Sequence, residues 1–493
     1  MSAAREVTDV VVVGSGPNGL AAAVTMARAG LGVVVLEAQP TVGGGARTAD
    51  LGLAPGIEHD LCSAVHPLAT SSPFFRAFDL VARGVELRAP AISYAQPLDG
   101  GRAGLAYRDL ERTVDNLGPD GDAWRRLFGP LVRDLEAVLA VSLGDMRGIP
   151  APLRSPAGVR GAVAFGLRVL EQGTALWNRP FTADAAPALL TGVAMHAISA
   201  LPALAPAGTA LMLGALAHHG GWTLPVGGSQ AITDALVADL EAHGGQVRTR
   251  HRVATWAELP RARAYLLDTS PGAAAQIWGE RLPADVRRRL RRHRHGDAAS
   301  KVDFVLSGPV PWAAPEVGGA ATVHVGGTRE EMAAAELDVA RGVHPRQPAV
   351  LLSDPTVADP GRSHGGLRPL WTYTHVPAGS TLDMTEAVTA QIERFAPGFR
   401  DLVVTSRAVP AARLADTNES YVGGDIAGGA MTMPRVVLGP TGRWDPYRLG
   451  IPGVYLCSAA APPAPGVHGM NGWHAARRAL RDRFGRSVPS LAP

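Results

Sequence analysis

VVVVGSGPNGLAAAV, residues 10–24, is the stretch of the chain that decides the fold. Its valines predict a buried parallel strand, and the apolar run that follows predicts a helix. Between them the glycines follow the spacing G-x-G-x-x-G. Gly14 makes the tight turn, Gly16 lets the backbone approach a pyrophosphate, and Gly19 lets the helix pack closely on the strand. The stretch therefore predicts a dinucleotide site at the N-terminus of the first helix.

A carboxylate follows the glycine turn at the distance this site requires. The second apolar strand, GVVVLEA at 32–38, carries Glu37 near its end. An acid at this position accepts a ribose hydroxyl and disfavours the 2′-phosphate of NADP. The fingerprint by itself leaves NAD and FAD open. A second glycine-rich loop, Gly43 to Gly45 followed by Arg47, favours a long ligand whose flavin end reaches further into the protein.

The composition is that of a globular protein. The 493 residues are 46% hydrophobic and 18% charged, with a formal net charge of +3. The one basic cluster, RRRLRRHRH at 287–295, is either a solvated helix face or a contact with anionic lipid. We expect neither nucleic-acid binding nor a metal site. The two cysteines and the lack of a signal peptide at residues 1–9 favour reduced thiols and a cytoplasmic location.

Patterns typical of a nucleotide-binding domain occur three times along the chain. Helical patterns separate the first two, and segments that alternate like an antiparallel sheet separate the second and third. We therefore predict an α/β fold in which a discontinuous Rossmann-like domain is interleaved with an α+β substrate-binding domain made of an antiparallel sheet and helices. The expected nucleotide domain comprises 1–90, 221–300 and 431–493, and the substrate domain comprises 91–220 and 301–430.

Two apolar segments bear on the substrate. Residues 185–233 contain no Asp, Glu, Lys or Arg, and Pro187, Pro202 and Pro206 divide them into pieces too short to span a bilayer. This segment forms either buried core helices or the wall of an apolar substrate cavity. Residues 153–177 predict an amphipathic helix with arginines among apolar residues. It is either an ordinary surface helix or a peripheral contact with the inner face of the membrane.

The chain as a whole resembles a known family. The resemblance rests on the glycine turn and on four further stretches: GGGARTADLGLAPGIEHDLCSAVHPLATSSPFFR (43–76), GGWTLPVGGSQAITDAL (220–236), YVGGDIAGGA (421–430) and YLCSAAAPPAPGVHGMNGWHAARRAL (455–480). They resemble the phytoene-dehydrogenase-like oxidoreductases of the phytoene desaturase and flavin amine oxidase superfamily, which are related to the pyridine nucleotide-disulfide oxidoreductase domain 2 proteins. The resemblance implies one FAD and no second Rossmann site for NAD(P).

The resemblance distributes the cofactor contacts over separated parts of the chain. The glycine turn takes the pyrophosphate, Glu37 takes the adenosine ribose, and the second glycine loop lies along the phosphates and the ribityl chain. Val253 touches adenine through its backbone. Gly469 opens a helix whose N-terminus stabilises negative charge at the pyrimidine end of the flavin. The expected cofactor-binding residues are Gly14, Ser15, Gly16, Pro17, Asn18, Gly19, Glu37, Ala38, Gly44, Gly45, Ala46, Arg47, Val253, Gly469, Met470 and Asn471.

Three residues are candidates for the chemistry. Lys301 precedes a strand that ends in a proline-aromatic turn, as does the amine oxidase lysine that holds a water at flavin N5. By that resemblance Lys301 assists proton transfer or flavin reoxidation; a solvent-exposed lysine at a strand end is the open alternative. His66, in EHDLCSAVHP, is either a proton acceptor or a structural histidine. His468, beside the tail motif, is expected to face the site.

These features together predict a FAD-dependent oxidoreductase. We expect a dehydrogenase or desaturase that takes a hydride from a hydrophobic, isoprenoid or lipid-like small molecule, with O2 or a quinone as electron acceptor. The alternatives are a flavin amine oxidase, a non-redox isomerase, and a non-enzymatic flavoprotein associated with a membrane. Amine oxidation requires an aromatic cage, and the aromatic content of 5% counts mildly against it.

Overall fold

A computed structural model describes residues 7–463 and 465–493. Residues 1–6, on which the expectation about a signal peptide largely rests, lie outside the described residues, as does residue 464. Within the two described ranges, no helix is both long enough and apolar enough to cross a membrane.

The structure alternates strands and helices along the chain. The strands are β1 (Val10–Val13), β2 (Val33–Leu36), β3 (Thr48–Asp50), β4 (Glu58–Asp60), β5 (Leu87–Arg88), β6 (Ile92–Leu98), β7 (Arg102–Tyr107), β8 (Leu224–Pro225), β9 (Gln246–Arg248), β10 (Ala264–Leu267), β11 (Ala298–Leu306), β12 (Thr322–Val325), β13 (Val350–Ser353), β14 (Arg368–Val376), β15 (Val403–Val409) and β16 (Val454–Leu456). The α-helices are α1 (Pro17–Arg28), α2 (Pro73–Phe78), α3 (Leu110–Asn116), α4 (Gly121–Arg133), α5 (Leu135–Leu143), α6 (Pro156–Gln172), α7 (Ala185–Ala194), α8 (Leu204–His219), α9 (Gln230–Ala242), α10 (Pro271–Trp278), α11 (Ala284–Arg291), α12 (Arg329–Ala340), α13 (Thr385–Phe395), α14 (Phe399–Leu402), α15 (Met433–Leu438) and α16 (Met470–Ala479).

The glycine turn belongs to a parallel sheet. In the described part of the chain this sheet has five strands in the order β16–β10–β1–β2–β9. Strand β1 lies at its centre, where Val12 pairs with Val35 on one side and Leu266 on the other. Its valines are buried, as expected for a parallel strand covered on both faces. The predicted Rossmann-like α/β fold, assembled from separated parts of the chain, is confirmed; the exact domain limits remain a prediction.

Helix α16, near the end of the chain, packs directly on helix α1 near its beginning. A Cβ built at Gly472 would lie 1.8 Å from the carbonyl oxygen of Asn18, so the two backbones touch. The predicted role of Gly19 is also visible, because a Cβ there would lie 2.3 Å from the carbonyl oxygen of Gly14. Glycines therefore bring the tail of the chain against the first helix and its turn.

A second sheet has one hydrophobic face and one face with polar and aromatic side chains. Among the described residues it has seven strands in the order β15–β11–β14–β13–β12–β6–β7. The strands from β11 to β14 pair antiparallel, as predicted, whereas β12 pairs with β6 in parallel. One face packs Val302, Phe304 and Leu352 into a core with Ile392 and Phe395 of α13. The other face carries polar and aromatic side chains.

The contact between α1 and α16 predicts a large difference between two glycine substitutions. Gly472→Ala is expected to lower the free energy of unfolding by about 1–3 kcal/mol or more, because the new methyl group must push the two helices apart. The control is Gly129→Ala in α4, where no described atom lies within 4 Å of the added Cβ. This control should change stability by less than about 1 kcal/mol, because the helix propensity gained by alanine is offset by its position before Pro130. Denaturant unfolding measures both, and similar effects would contradict the close helix contact.

Candidate functional site

A large cavity extends from the parallel sheet to the mixed sheet. Its volume is about 1080 Å³, at the upper end of the roughly 300–1,000 Å³ that small-molecule sites occupy. The parallel sheet contributes residues at the ends of β1 and β2, and the mixed sheet contributes residues of β12, β13 and β14. Helices α5, α6 and α8 supply much of the remaining lining. The cavity thus joins the segments predicted to bind nucleotide with those predicted to bind substrate.

The glycine turn borders this cavity. Residues 14–18 line it, and Glu37 and Ala38 line it beside them. The Oε2 atom of Glu37 accepts hydrogen bonds from the backbone N–H and the hydroxyl of Ser15, at 2.8 and 2.6 Å. Val253 lines the same region, as predicted for a residue near adenine. The carboxylate of Glu37 therefore lies against the glycine turn at the cavity wall, and its contact with a ribose stays a prediction.

The second glycine loop touches the first. A Cβ built at Gly44 would lie 2.8 Å from the Cα of Gly16, so this approach excludes a side chain. Gly44 and Gly45 line the cavity, whereas Ala46 and Arg47 lie behind them. The guanidinium of Arg47 is buried and donates to the carbonyl of Gly44 at 2.8 Å. Arg47 thus holds the loop in place from behind.

The tail borders the cavity through the loop that precedes α16. The loop residues Ser458, Ala459 and Ala460 line it, as does His468. Gly469, Met470 and Asn471 are buried beside the described lining but do not form part of it. The Nδ1 atom of His468 accepts the backbone N–H of Met470 at 3.1 Å. The start of α16 therefore approaches the site through the imidazole of His468, and its predicted cofactor contacts stay a prediction.

His66 lines the cavity and is fully buried. Its Nε2 atom lies 2.8 Å from the Ser229 hydroxyl. Burial lowers the pKa of His66 to about 4, with the nearby Asp60 acting in the opposite direction. The imidazole is therefore neutral near pH 7. Its Nδ1 atom has no hydrogen-bond partner within the described residues. A tethered neutral imidazole in the cavity wall is compatible with both predicted roles of His66.

Lys301 is not a solvent-exposed residue. Its side chain is 6% exposed and forms an ion pair with Asp303 on the same strand. The open alternative of a lysine in solvent is therefore wrong. Lys301 does not itself appear in the described lining, but its Nζ lies 5.9 Å from the ring centroid of Trp371, which does. Strand pairing places Lys301 directly beside Tyr373, another lining residue.

Asp268 is a site residue that the sequence analysis missed. It follows β10, and its Oδ2 atom accepts the backbone N–H of Gly19 at 2.9 Å, so the carboxylate caps the start of α1. Burial raises the pKa of Asp268 to about 7, although the bond from Gly19 favours the charged form. Its position directly after a predicted strand could have indicated this role, because the carboxyl ends of parallel strands meet at one edge of a sheet.

The charge-free segment packs in the core and also borders the cavity. Residues of α7 and α8 are mostly buried in the core, while Leu204, Met212 and Leu213 of α8 also line the cavity, as does Trp222. The two interpretations are compatible because one helix buries different faces against different neighbours. Phe165 of α6 completes an apolar chamber on this side.

No group of three or more His, Cys, Asp or Glu side chains suited to a metal ion occurs in residues 7–463 and 465–493. Two histidines of the basic cluster at 287–295 contact the loop that contains Asp425 and Gly428. His293 lies 2.9 Å from the carbonyl oxygen of Gly428, and His295 lies 3.0 Å from Asp425.

Known proteins share this architecture. Residues 12–83 match the family of NAD(P)-binding Rossmann-like domains. The chain is 24% identical to pyridine nucleotide-disulfide oxidoreductase domain-containing protein 2 of Rattus norvegicus, over 96% of this chain and 93% of that protein. Putrescine oxidase bound to putrescine matches 97% of this chain and 99% of its own, at 16% identity and a TM-score of 0.58. Cyclohexylamine oxidase from Brevibacterium oxydans IH-35A matches 96% and 97%, at 17% identity and a TM-score of 0.54.

The fold is that of the flavin amine oxidases. The predicted resemblance to the pyridine nucleotide-disulfide oxidoreductase domain 2 proteins is confirmed. The Rossmann-like domain, in a fold shared with these two oxidases, supports a flavin cofactor.

The raised pKa of Asp268 predicts a pH-dependent stability. A carboxyl group that binds its proton more tightly when folded stabilises the protein below its ordinary pKa of 3.8, and this stabilisation is lost as pH rises towards 7. In Asp268→Asn the amide oxygen still accepts from Gly19 but cannot ionise. The free energy of unfolding of the variant should therefore exceed that of the wild type by an amount that grows from pH 4 to pH 7.

Each unit of pKa shift corresponds to about 1.4 kcal/mol, so the difference should approach about 4 kcal/mol above pH 7. Denaturant unfolding of the cofactor-free protein at several pH values measures it. A difference that stays constant with pH would show that Asp268 ionises in the folded state as it does in water.

Proposed function

We propose that the protein is a FAD-dependent oxidoreductase that takes a hydride from a hydrophobic small molecule. The observation that supports this most directly is the continuity of the cavity, which joins the glycine turn to an apolar chamber. The chamber is lined by Phe165 and Val169 of α6, by Leu204 and Met212 of α8, and by Val141 of α5. In the described lining, Arg252 is the one Lys or Arg side chain, and it is paired with Glu419.

The residues present fit FAD. The turn at residues 14–19 would hold the pyrophosphate, Glu37 the adenosine ribose, and Val253 the adenine, with Gly44 and Gly45 along the middle of the cofactor. When bound, FAD supplies a hydride acceptor at N5. The chain excludes water from the chamber with apolar side chains and orients the substrate there, which raises the effective concentration of the reacting groups.

Three side chains are proposed to take part in proton transfer or flavin reoxidation. His66 and His468 line the cavity, and His66 is neutral near pH 7, so it is able to accept a proton from the substrate. Lys301 lies behind Trp371 and Tyr373, in contact with Asp303. From there it would act on proton transfer or reoxidation. The proposed electron acceptor is O2 or a quinone.

Amine oxidation is a second candidate function, favoured by one specific observation. Trp371 and Tyr373 both line the cavity next to Lys301, and their ring centroids are 5.2 Å apart at an angle of 82°. Aromatic faces attract organic cations, so this pair could serve as the cage that an amine requires. The low aromatic content of the chain does not exclude such a pair, because the structure concentrates aromatic residues at this wall.

The experiment that tests the proposal is anaerobic mixing of the purified protein with candidate isoprenoids, other lipids and amines. A yellow protein whose visible flavin absorption bleaches with apolar compounds is the expected result. Bleaching by amines only would favour the second candidate. Flavin that no compound reduces, together with unchanged behaviour of Lys301→Met and His66→Gln, would favour a non-redox isomerase or a non-enzymatic role.

The cofactor is tested separately. Gly16→Val and Glu37→Ala are expected to reduce FAD content at least tenfold, because a side chain at residue 16 collides with Asp268 and the ribose loses its carboxylate partner. The matched control is Glu58→Ala on β4, an exposed glutamate that should leave FAD content unchanged. Visible absorption relative to protein concentration is the measurement. A colourless wild-type protein after gentle purification would contradict the proposal.

We also propose that α6 makes a peripheral contact with a membrane. Val159, Val163, Leu167 and Leu170 form a stripe along this helix and are each more than half exposed. Phe165, on the other side of the helix, lines the cavity. An exposed apolar stripe with arginines nearby is typical of helices that lie in an anionic lipid interface. A lipid-like substrate would then meet the wall of its own chamber.

The double variant Val163→Asp, Leu167→Asp is expected to lose at least tenfold in affinity for anionic vesicles, because two carboxylates replace apolar contacts. The matched control places Asp at Val81 and Val404, which are similarly exposed but lie outside α6. Vesicle co-sedimentation measures binding. Equal losses in both double variants, or no binding by the wild type, would refute this contact.

A further inference from the structure

A group of polar side chains lies in the wall of the apolar chamber, away from the glycine turn. It consists of Tyr94, His196, Trp222, Thr322 and His324, here called the His196–His324 cluster. His196, Trp222 and Thr322 line the cavity, and Tyr94 and His324 stand directly behind them. None of these residues is used by the proposed cofactor site or by the proposed proton chemistry.

The two histidines form a neutral pair. Their Nε2 atoms lie 3.0 Å apart, so one ring donates its N–H to the lone pair of the other. Burial lowers the pKa of His196 to about 3, and the nearby His375 acts in the same direction. Burial also lowers the pKa of His324 well below its ordinary value. The cluster therefore offers hydrogen bonds without offering a positive charge.

The cluster has hydrogen-bonding capacity that the protein does not use. The Thr322 hydroxyl, the Tyr94 hydroxyl and the His324 Nδ1 atom are buried and have no hydrogen-bond partner among the residues the structure describes. Unsatisfied buried polar groups are uncommon in proteins, since each costs about 1–3 kcal/mol. Thr322 lines the cavity with a buried side chain, whereas His196 lines it and is only partly buried, so a molecule in the chamber meets the cluster first at His196.

A glycine in α7 leaves room for the histidine pair. Helix α7 has a glycine, Gly192, opposite His324. A Cβ at Gly192 would lie 2.7 Å from the Cβ and Cγ atoms of His324 and from Oε1 of Gln96. Any larger residue would displace the imidazole from its position beside His196. The close approach of α7 therefore belongs to the geometry of the cluster.

Strand register gives the distance from the cluster to Lys301. Lys301 pairs with Tyr373, Tyr373 with Leu351, and Leu351 with His324. All of these residues lie in one row across the same face of the mixed sheet. Three strand spacings separate the two ends of the row, which amounts to roughly 14 Å. The row thus carries a lysine at one end and the neutral histidine pair at the other, with Tyr373 and Leu351 of the cavity lining between them.

We propose that the His196–His324 cluster binds an uncharged hydroxyl or carbonyl group of the substrate. This inference rests on the proposed function and defines its substrate class further. The substrate is then an elongated molecule with an apolar body in the chamber and an uncharged polar end at the cluster, about 14 Å from Lys301. A carboxylate does not fit, because no Lys or Arg of the described lining stands beside the cluster to balance its charge.

The test uses the holoenzyme and a set of ten-carbon probes: 1-decanol, 2-decanone, decane, decanoate and decylamine. Quenching of tryptophan fluorescence reports binding, since Trp222 is in ring contact with His196. Decanol or decanone is expected to bind about fivefold to tenfold more tightly than decane, as one neutral hydrogen bond provides. The comparison of decanol with decanone separates a hydroxyl from a carbonyl ligand. Tightest binding by decanoate or decylamine would overturn the proposal.

Two variants test whether the preference for decanol over decane depends on the cluster. Thr322→Val removes an unpartnered hydroxyl while keeping the shape of the side chain, and His196→Phe keeps a ring against Trp222. Each should reduce the preference for decanol over decane about fivefold without changing the affinity for decane. The matched control is Ser353→Ala. Its hydroxyl is also buried and without a partner in the described chain, and it pairs with Thr322 across the sheet, but it does not line the cavity.

An unchanged preference in Thr322→Val and His196→Phe, or an equal loss in Ser353→Ala, would refute the assignment. Thermal unfolding of each variant shows whether it has folded, and Thr322→Val is expected to be at least as stable as the wild type. FAD content is read from visible absorption in the same samples. A yellow protein that does not distinguish decanol from decane would refute only the cluster. A colourless protein that does distinguish them would refute only the proposed function.

Discussion

The structure depends on backbone contacts that side chains would prevent. Gly16 meets Gly44 where the two glycine loops approach each other, and Gly472 meets the backbone of Asn18 where the last helix packs on the first. These contacts join residues that are far apart in the chain, and each excludes even a methyl group. The start of α1 is thereby enclosed by the second loop, by the tail and by Asp268, and this enclosure creates one side of the cavity.

The two faces of the mixed sheet differ because side chains alternate along a strand. Val302 and Phe304 face the core with α13, while Lys301 and Asp303 face the opposite side, towards the cavity. The same alternation places Thr322 and His324 on that side of β12. One sheet therefore supplies a hydrophobic core on one face and a row of polar and aromatic groups on the other.

Much of the site was predictable because its signals are local. The glycine turn, Glu37 and the second glycine loop follow a spacing set by the geometry of a strand, a turn and a helix, and all of them border one cavity. The burial of Lys301 was not predictable, since the sequence suggested a lysine at the start of a strand, where it is usually solvated, whereas Lys301 lies inside β11. Only its partner Asp303 and the cover of neighbouring strands make burial acceptable.

The His196–His324 cluster was also not predictable from the sequence. His196 follows α7 and His324 lies on β12, 128 residues apart in the chain, and no periodicity connects them. They meet because Gly192 lets a helix approach the sheet and because strand pairing sets the register. Likewise, Asp268 reaches α1 only through the order of the parallel strands.

Short-range spacing and composition were therefore sufficient to predict the class of fold and the position of the glycine turn between β1 and α1. The tertiary structure decided which charges are buried, which polar groups share one wall, and how the tail closes the site. Those outcomes depend on contacts between distant segments, and a linear pattern does not encode the distances across which such segments meet.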